Sequence, residues 1–478
     1  MGRERVVVVG GGVGGLSTAL ALGRAGHEVT LLERDELPAV HDADEAFAAE
    51  RRGAPQVHQT HGFLARLVVE LRGRFPDVLD ALLDAGCFTL PTTADLGEPM
   101  PGDEDLEVLV VRRTTFEWVL RGKVAEEPSV TSRTGVGVDG LVVDDAHAVP
   151  VVSGVRLEDG SAVDADVVVA ATGRRGPVDR WLADAGIDID EKVAESGLMY
   201  LSRWYQLAER PEIELDAKLG GDLGFVKYLG VPGDGDTLSI TLAVRTDDKE
   251  LRQALADETR FEAACQALPG PDRFFRAGPL EPIGGVRPMG GLLNRRRRFV
   301  DESSEPLVQG FHVVGDAHTC TNPLYGRGCS IALVQAIHLA DAFAEHPGDA
   351  GRRARAFEAK AAADIEPWFD VSVQMDSFGA DPAGFGPDGD EDAEPTGGAE
   401  GARGMGAVFA AGATDPIIGR ALARFMNMMA TPMDLMADPA VMDRMAEVMA
   451  DPDSYPLPPR EGPRRSELLE LLDSVDAT

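Results

Sequence analysis

Two sets of residues in this chain have the types and spacing to hold a long phosphate-bearing ligand. The first is Gly10-x-Gly12-x-x-Gly15, which follows the apolar run Arg-Val-Val-Val-Val at 5–9 and precedes the Ala/Leu-rich stretch from Leu16 to Ala25. Between a strand and a helix, Gly10 permits the tight turn. Gly12 lets the backbone approach a pyrophosphate, and Gly15 lets the helix pack on the strand. The positive end of the helix then faces the phosphates. Gly14 lies inside the same turn. Glu33 closes the next apolar run, His27 to Glu33. A carboxylate there accepts hydrogen bonds from ribose hydroxyls and repels a 2′-phosphate. Arg34, beside it, is a further candidate contact.

The second set lies some three hundred residues later. Phe311-His-Val-Val-Gly315-Asp316 places an acid just beyond a short strand. The turn Asn322-Pro323-Leu324-Tyr325-Gly326-Arg327-Gly328 then leads into a long apolar helix. Asp316 can accept hydrogen bonds from a polyol chain. Gly326 and Gly328 let backbone amides come close, and the helix that follows aims its positive end at an electron-rich ring edge. NAD and FAD both suit the first set. A ligand that touches both sets must be long, and FAD extended across a sheet satisfies that.

These residues need a doubly wound frame. The runs 5–9 and 27–33 read as buried parallel strands joined by a helix that Gly26 ends, a βαβ unit. Helices are expected over 63–75, 76–86, 114–124, 247–267 and 329–344. Strands are expected over 106–111, 136–143, 149–157, 163–170, 198–206 and 224–245, with Asp-Gly turns at 159–160 and 234–236. The stretch 379–406 reads as a mobile, disordered loop, and 415–449 as a Met-rich helical tail.

At 478 residues the chain has room for about three folding units. It carries 46 basic and 81 acidic residues, a net charge of −35, which argues against nucleic-acid binding and anionic lipid surfaces. The four cysteines form no CxxC and no disulfide framework. No apolar run is long enough to span a membrane, and no cleavable leader is evident. A cytoplasmic location is expected.

At these motifs the chain resembles the FAD-dependent oxidoreductases of the aromatic-hydroxylase (glutathione-reductase-like) fold. Within them it is most similar to the actinobacterial oxidoreductases related to polyketide epoxidases and hydroxylases. The resemblance covers roughly residues 4–345. Gly53-Ala-Pro55-Gln56-Val-His58-Gln-Thr-His61-Gly-Phe63-Leu64 resembles that subgroup's segment bordering the flavin. Arg113-Thr-Thr-Phe116-Glu117-Trp-Val-Leu120 resembles the RxxLExxL helix, whose Arg contacts the phosphate–ribose region. Thr172-Gly173 matches the ATG-type strand end, and Gly315-Asp316 the ribityl-binding pair. The resemblance thus implies FAD held by Gly10, Gly12, Gly14, Gly15, Glu33, Arg34, Gln56, Arg113, Val138, Gly315, Asp316, Pro323, Gly326 and Gly328.

The fold it implies is α/β: a discontinuous Rossmann-like FAD-binding domain (1–75, 102–182, 283–345), a β-sheet substrate domain (76–101, 183–282) and a helical C-terminal extension (346–478). The activity it implies is a monooxygenase that hydroxylates or epoxidises a hydrophobic small molecule through a flavin C4a-(hydro)peroxide, in secondary metabolism. Two alternatives stand beside it. One is an FAD-dependent dehydrogenase or reductase of an apolar, isoprenoid-like substrate. The other is a flavoprotein that docks a carrier or partner protein through its Met-rich tail. Ala171-Thr172-Gly173-Arg174-Arg175 replaces the Asp-Gly motif that many single-component hydroxylases carry. Electrons therefore come from NAD(P)H or from a separate flavin reductase. The four tryptophans are isolated, so the WxWxIP of flavin-dependent halogenases is missing.

Tyr200, Tyr205 and Tyr228, on strands of the second domain, are the candidate substrate contacts if that sheet roofs the flavin. His58 and His61 lack the third ligand a metal would need, and no metal is expected. Cys320 and Cys329 flank the 322–328 turn as buried thiols rather than a redox pair. The run Arg295–Arg298 reads as a solvated strand entry. No catalytic acid or base is assigned.

Overall fold

The structure, a computed structural model, describes residues 2–208, 220–380, 399–456 and 461–475. The expected loop 379–406 lies largely outside these residues. Strand Arg5–Val9 pairs in parallel with Glu28–Leu32 on one side and Val167–Ala170 on the other. Phe311–Val313 and Val130–Arg133 extend it to a five-stranded parallel sheet. The continuous valine run is what such a sheet demands, because both faces are covered. Val6 and Val8 enter one core with the helices Val13–Arg24, Arg113–Glu126 and Gly328–Glu345. Val7 and Val9 enter the opposite core, with the three-stranded sheet Val138–Asp144, Val151–Leu157 and Ala162–Asp164.

A second five-stranded sheet is antiparallel throughout, in the order Gly220–Asp222, Val226–Gly233, Thr237–Arg245, Leu198–Leu207, Leu280–Met289. Leu201, Tyr205, Tyr228, Ile240 and Leu242 point from one face into a core closed by the helices Glu258–Ala267 and Pro269–Ala277 and by the last helix, Arg465–Val475. The helices Ala350–Asp364 and Glu366–Ala380 pack beside Gly328–Glu345 and Leu293–Arg298. Among the described residues, no helix is long and apolar enough to cross a membrane.

Several expectations are corrected. The strand expected over 163–170 is two strands in two sheets. At the break, Asp166 accepts the Arg5 backbone N–H at 2.8 Å and its guanidinium at 2.9 Å, which turns the chain from the small sheet into the large one. The helix expected over 247–267 breaks after Ala254, and Asp257 caps the next helix by accepting from the N–H groups of Thr259 and Arg260. The helical tail is three helices, Pro416–Met426, Pro432–Met436 and Pro439–Ala450, each opened by a proline behind an Asp or Thr cap. The domain boundaries at 76 and 283 do not follow the packing. Val78, Leu79 and Leu82 belong to the first core, and 283 falls inside strand Leu280–Met289.

The arginine run is not a solvated entry. Strand Leu293–Arg298 lies between Asp190–Glu195 and Thr319–Cys320, and Arg296 and Arg297 are buried. Arg295 pairs with Glu191, Arg296 with Asp190, Arg297 with Asp179 and Arg298 with Glu366. Burial is tolerated because acids from three neighbouring elements meet the four cations.

Candidate functional site

The Gly10–Gly15 turn is built from main-chain contact. Gly10 has φ +111°, and a Cβ on it would stand 2.4 Å from the Ala171 carbonyl oxygen. A Cβ on Gly15 would stand 1.8 Å from the Gly10 carbonyl oxygen. Only glycine fits either position. Gly12 is different. A Cβ there would meet nothing closer than Arg113 Nη2 and Glu117 Oε1, both at 3.9 Å. Gly12 is thus the floor of an open cradle at the N-terminus of helix Val13–Arg24, the form a pyrophosphate requires.

Glu33 is buried at the edge of this cradle. Its Oε2 accepts the Gly11 N–H at 2.6 Å and its Oε1 the Asp35 N–H at 2.8 Å. Oε2 also takes Arg51 Nη2, so Oε1 is the oxygen that keeps a second acceptor site for a ribose hydroxyl. Arg51 Nη2 stands 3.4 Å from Glu33, its Nε 3.2 Å from Asp35 and its Nη1 2.8 Å from Glu117. Arg113 Nη2 contacts Glu117 at 2.6 Å, and its Nη1 contacts Cys329 Sγ at 3.1 Å. Burial pushes the Glu117 carboxyl up, but Arg113, Arg51 and Arg121 together hold it below the usual carboxylate range.

The second set of residues reaches the same place. A Cβ on Gly14 would lie 3.7 Å from Gly315 Cα. Gly315 has φ +65°, and its N–H donates to Gln335 Oε1 at 2.6 Å. A Cβ on Gly328 would lie 3.7 Å from Asp316 Oδ1, and a Cβ on Gly326 would lie 3.2 Å from Gly62 Cα. Asp316 therefore stands beside the first turn of helix Gly328–Glu345. Burial raises its pKa, against Arg113, Arg174 and Arg295. Gly10–Gly15, Glu33, Arg113, Gly315–Asp316 and Gly326–Gly328 thus form one continuous lining. It has a phosphate cradle and a ribose acceptor at one end, and an acid and a helix N-terminus at the other. That donor set and the open floor at Gly12 fit FAD. Pro323 opens the short 3-10 turn that Asn322 caps.

Other expected residues lie elsewhere. Arg34 is exposed, and Gln56 is half-buried. Val138 begins the three-stranded sheet and packs against the second core of the parallel sheet. The buried amide near Gln56 is Gln59: its Oε1 accepts from Ser202 Oγ at 2.7 Å and its Nε2 donates to the Arg287 carbonyl at 3.1 Å.

The three tyrosines do not converge, which corrects the expected substrate set. Tyr200 and Tyr205 are an odd number of residues apart on one strand, so they face opposite sides. Tyr205 and Tyr228 are core residues beneath the helices, and Tyr205 meets Phe275 edge-on at 5.8 Å. Tyr200 alone points towards the lining, where its hydroxyl donates to Asn322 Oδ1 at 2.6 Å. On the same face, Ser202, Ser239 and Thr241 bond to Gln59 and Thr60, and Trp204 Nε1 donates to the His58 carbonyl at 2.7 Å.

His61 lies beside Gly62. Its Nδ1 contacts the Gln59 carbonyl oxygen at 2.9 Å, and burial, then Arg113, pushes its pKa down to about 3. His58 is held at about 4 by burial and Arg287. Both imidazoles are neutral at pH 7. The described residues hold no metal-ligating cluster, and all four cysteines are buried free thiols.

Four residues that place the lining carried no sequence signal of that role: Arg51, Gln335, Asp234 and Asp376. Asp234 is fully buried. It accepts from Arg112 N, Nε and Nη2 at 2.6, 3.0 and 2.7 Å and from Thr115 Oγ1 at 2.8 Å. It fastens the turn of the second sheet to the start of helix Arg113–Glu126. Its Asp-Gly neighbourhood signalled only a turn.

Residues 5–100 match the FAD dependent oxidoreductase family (DAO). Protein Rv3254 of Mycobacterium tuberculosis is 28% identical over 377 residues, covering 70% of this chain and 72% of that protein. Chloroplastic zeaxanthin epoxidase of Solanum lycopersicum is 30% identical over 190 residues, 37% of this chain and 25% of the epoxidase. Among solved structures, PqsL from Pseudomonas aeruginosa, a probable FAD-dependent monooxygenase, superposes with TM-score 0.55 at 19% identity, covering 79% of this chain and 95% of that one. The flavin-dependent brominase Bmp2 superposes with TM-score 0.57 at 15% identity, covering 95% and 100%. At such identities the likeness is one of fold. The chain shares the fold of these flavin-dependent enzymes, and its residues 5–100 match the FAD dependent oxidoreductase family.

Proposed function

We propose that this protein is an FAD-dependent monooxygenase that hydroxylates or epoxidises a hydrophobic small molecule. The observation that carries the reading is the single lining from Glu33 and Gly12 to Asp316 and Gly328. Gly12 and the helix behind it would hold the pyrophosphate, Glu33 the adenosine ribose, Arg113 the phosphate–ribose region, and Asp316 the ribityl hydroxyls. FAD would supply two-electron reduction and oxygen activation. The protein's own groups bind, orient and exclude water. The first turn of helix Gly328–Glu345 would stabilise negative charge on the bound group. Tyr200, Leu292, Ala243 and Met289 pack with Leu324 of the 322–328 turn into an apolar cluster, in keeping with a hydrophobic substrate.

The similarity to an epoxidase supports oxygen insertion, and the subgroup resemblance supports a polyketide-like or terpenoid-like substrate of secondary metabolism. Ala171-Thr172-Gly173 supports a separate flavin reductase as electron source over direct NAD(P)H use, and the four free thiols suit a cytoplasmic setting. The test is oxygen consumption by the flavin-loaded protein with a reductase and candidate polyketides or terpenoids. Substrate-dependent oxygen uptake with an oxygenated product is expected. Anaerobic reduction of the flavin by the substrate would replace the reading with a dehydrogenase. Protein that purifies colourless and takes up no FAD would end it.

A further inference from the structure

Arg327 stands at the start of helix Gly328–Glu345 and is fully buried. Two physical arguments say that a cation there lowers stability. The N-terminus of a helix already carries positive partial charge. A buried guanidinium also loses its hydration, which normally requires a carboxylate at contact distance. Among the described residues, Arg327 has none at that range. Its Nη1 donates to Ser372 Oγ at 2.6 Å, its Nη2 meets Met375 Sδ at 3.8 Å, and its Nε has no partner. Three rings surround the guanidinium instead: Tyr325 at 4.8 Å, Trp368 at 5.1 Å and Phe425 at 5.9 Å. Burial lowers its pKa to about 10, so it stays charged at neutral pH. A positive charge is thus kept where the fold alone would not place one.

A negative charge on the helix that carries Ser372 grips the same turn. Asp376, near the end of helix Glu366–Ala380, accepts from Tyr325 Oη at 2.7 Å, Asn322 Nδ2 at 2.8 Å and Asn294 Nδ2 at 2.7 Å. Asn322 in turn caps the turn at Leu324 N and receives the Tyr200 hydroxyl. Arg327 and Asp376 therefore flank Tyr325–Gly326, whose inner side faces Gly62 and whose neighbour Gly328 faces Asp316. Ser372, Trp368, Asp376 and Phe425 all belong to the C-terminal extension, outside the match to the FAD dependent oxidoreductase family.

We propose that Arg327 and Asp376 are positioning residues of opposite charge that set the redox poise of the bound flavin, Arg327 favouring its reduced form and Asp376 opposing it. The inference rests on the FAD reading above. Two-electron reduction, either by hydride from an external donor or by two electrons from a reductase with uptake of one proton, leaves the ring with one added negative charge. The buried cation behind the turn would stabilise that charge, and the half-buried anion would destabilise it.

The test is the midpoint potential of the purified flavin-loaded protein, with Arg327→Met, Arg327→Lys and Asp376→Asn. Arg327→Met should weaken binding of reduced relative to oxidised flavin about tenfold, a fall of about 30 mV for a two-electron couple. Arg327→Lys should stay within about threefold of the parent (~15 mV). Asp376→Asn should move the potential the opposite way. A merely structural role would loosen oxidised flavin in both variants without opposite shifts. Shifts of one sign, or none beyond twofold, overturn the inference while leaving the FAD reading in place. If Arg327→Met fails to fold, Asp376→Asn decides: an upward shift supports the pair, and no shift or a downward one overturns it. Wild-type protein that binds no flavin fails the FAD reading itself.

Discussion

The two ends of the cofactor lining are made in different ways. At Gly10–Gly15 the chain is positioned by backbone against backbone, with Gly15 against Gly10 and Gly10 against Ala171. At 322–328 it is positioned by side chains from far away: Asn294, Tyr200, Trp368, Asp376 and Phe425. A main-chain site tolerates no added atom, so its sequence is a fixed spacing of glycines. A side-chain site can be held by residues from anywhere in the chain, so it has no local pattern.

The largest effect should come from breaking the first kind of site. Gly15→Val puts a branched side chain where a single Cβ already clashes, and no folded, flavin-containing protein is expected; soluble yield and the flavin-to-protein ratio check this. Gly12→Ala sharpens the point. Its Cβ meets only open cradle, so the circular dichroism spectrum should be unchanged while the Kd for FAD rises at least about tenfold, the cost of a lost phosphate approach of roughly 1.4 kcal/mol or more.

Next comes the fastening between the regions. Asp234→Ala leaves the buried Arg112 guanidinium without the carboxylate that takes two of its N–H groups. A loss of about 3–5 kcal/mol in unfolding free energy is expected from urea titration. Asp44, which also contacts Arg112, has a side chain that is 82% exposed and cannot substitute for Asp234.

A smaller effect is a pH slope. Burial, then Arg353, holds His312 at about 3, well below its ordinary value, between Phe343 and Phe357. Above about pH 6.5 it is neutral in both folded and unfolded chains and adds no pH dependence. As the pH falls from 6.5 towards 3 the unfolded chain takes up the proton and the folded chain does not. Stability therefore falls by up to about 1.4 kcal/mol per pH unit from this residue. His312→Leu should flatten the acid limb of the stability curve by that amount. An unchanged limb would show that His312 protonates in place.

The smallest expected effect is Tyr200→Phe. It removes one hydrogen bond to Asn322, which keeps its contacts with Asp376 and Leu324. About 1 kcal/mol of stability should be lost. Flavin content should hold, and a KM change for substrate without loss of flavin would place Tyr200 on the substrate wall.

How much of the site was legible follows from the same contrast. Gly10-x-Gly12-x-x-Gly15, Glu33, Gly315–Asp316 and the 326–328 glycines were visible because each has to bring backbone or a carboxylate to a fixed point on a strand end. The tyrosines were misjudged because a strand's sequence says which residues alternate but not which face a helix will cover. The arginine run at 295–298 was misread because its acidic partners, Asp179, Asp190, Glu191 and Glu366, are scattered along the chain. Gln59 carried no signal for the same reason: its partners Ser202 and Arg287 lie on the other sheet.

The sequence by itself determined the parallel valine strands, the phosphate turn and the acid that closes each half of the lining. Those depend on steric rules that act within a few residues. Only the tertiary structure decided that Asp234 fastens the second sheet to the helix bearing Arg113, and that Tyr200 alone of the three tyrosines faces the lining. It also decided that the C-terminal extension grips the 322–328 turn, with its half-buried Asp376 on Tyr325 and Asn322 and its Ser372 on the buried Arg327. A buried charge is stabilised by whatever lies next to it in space, and chain order does not record that neighbourhood.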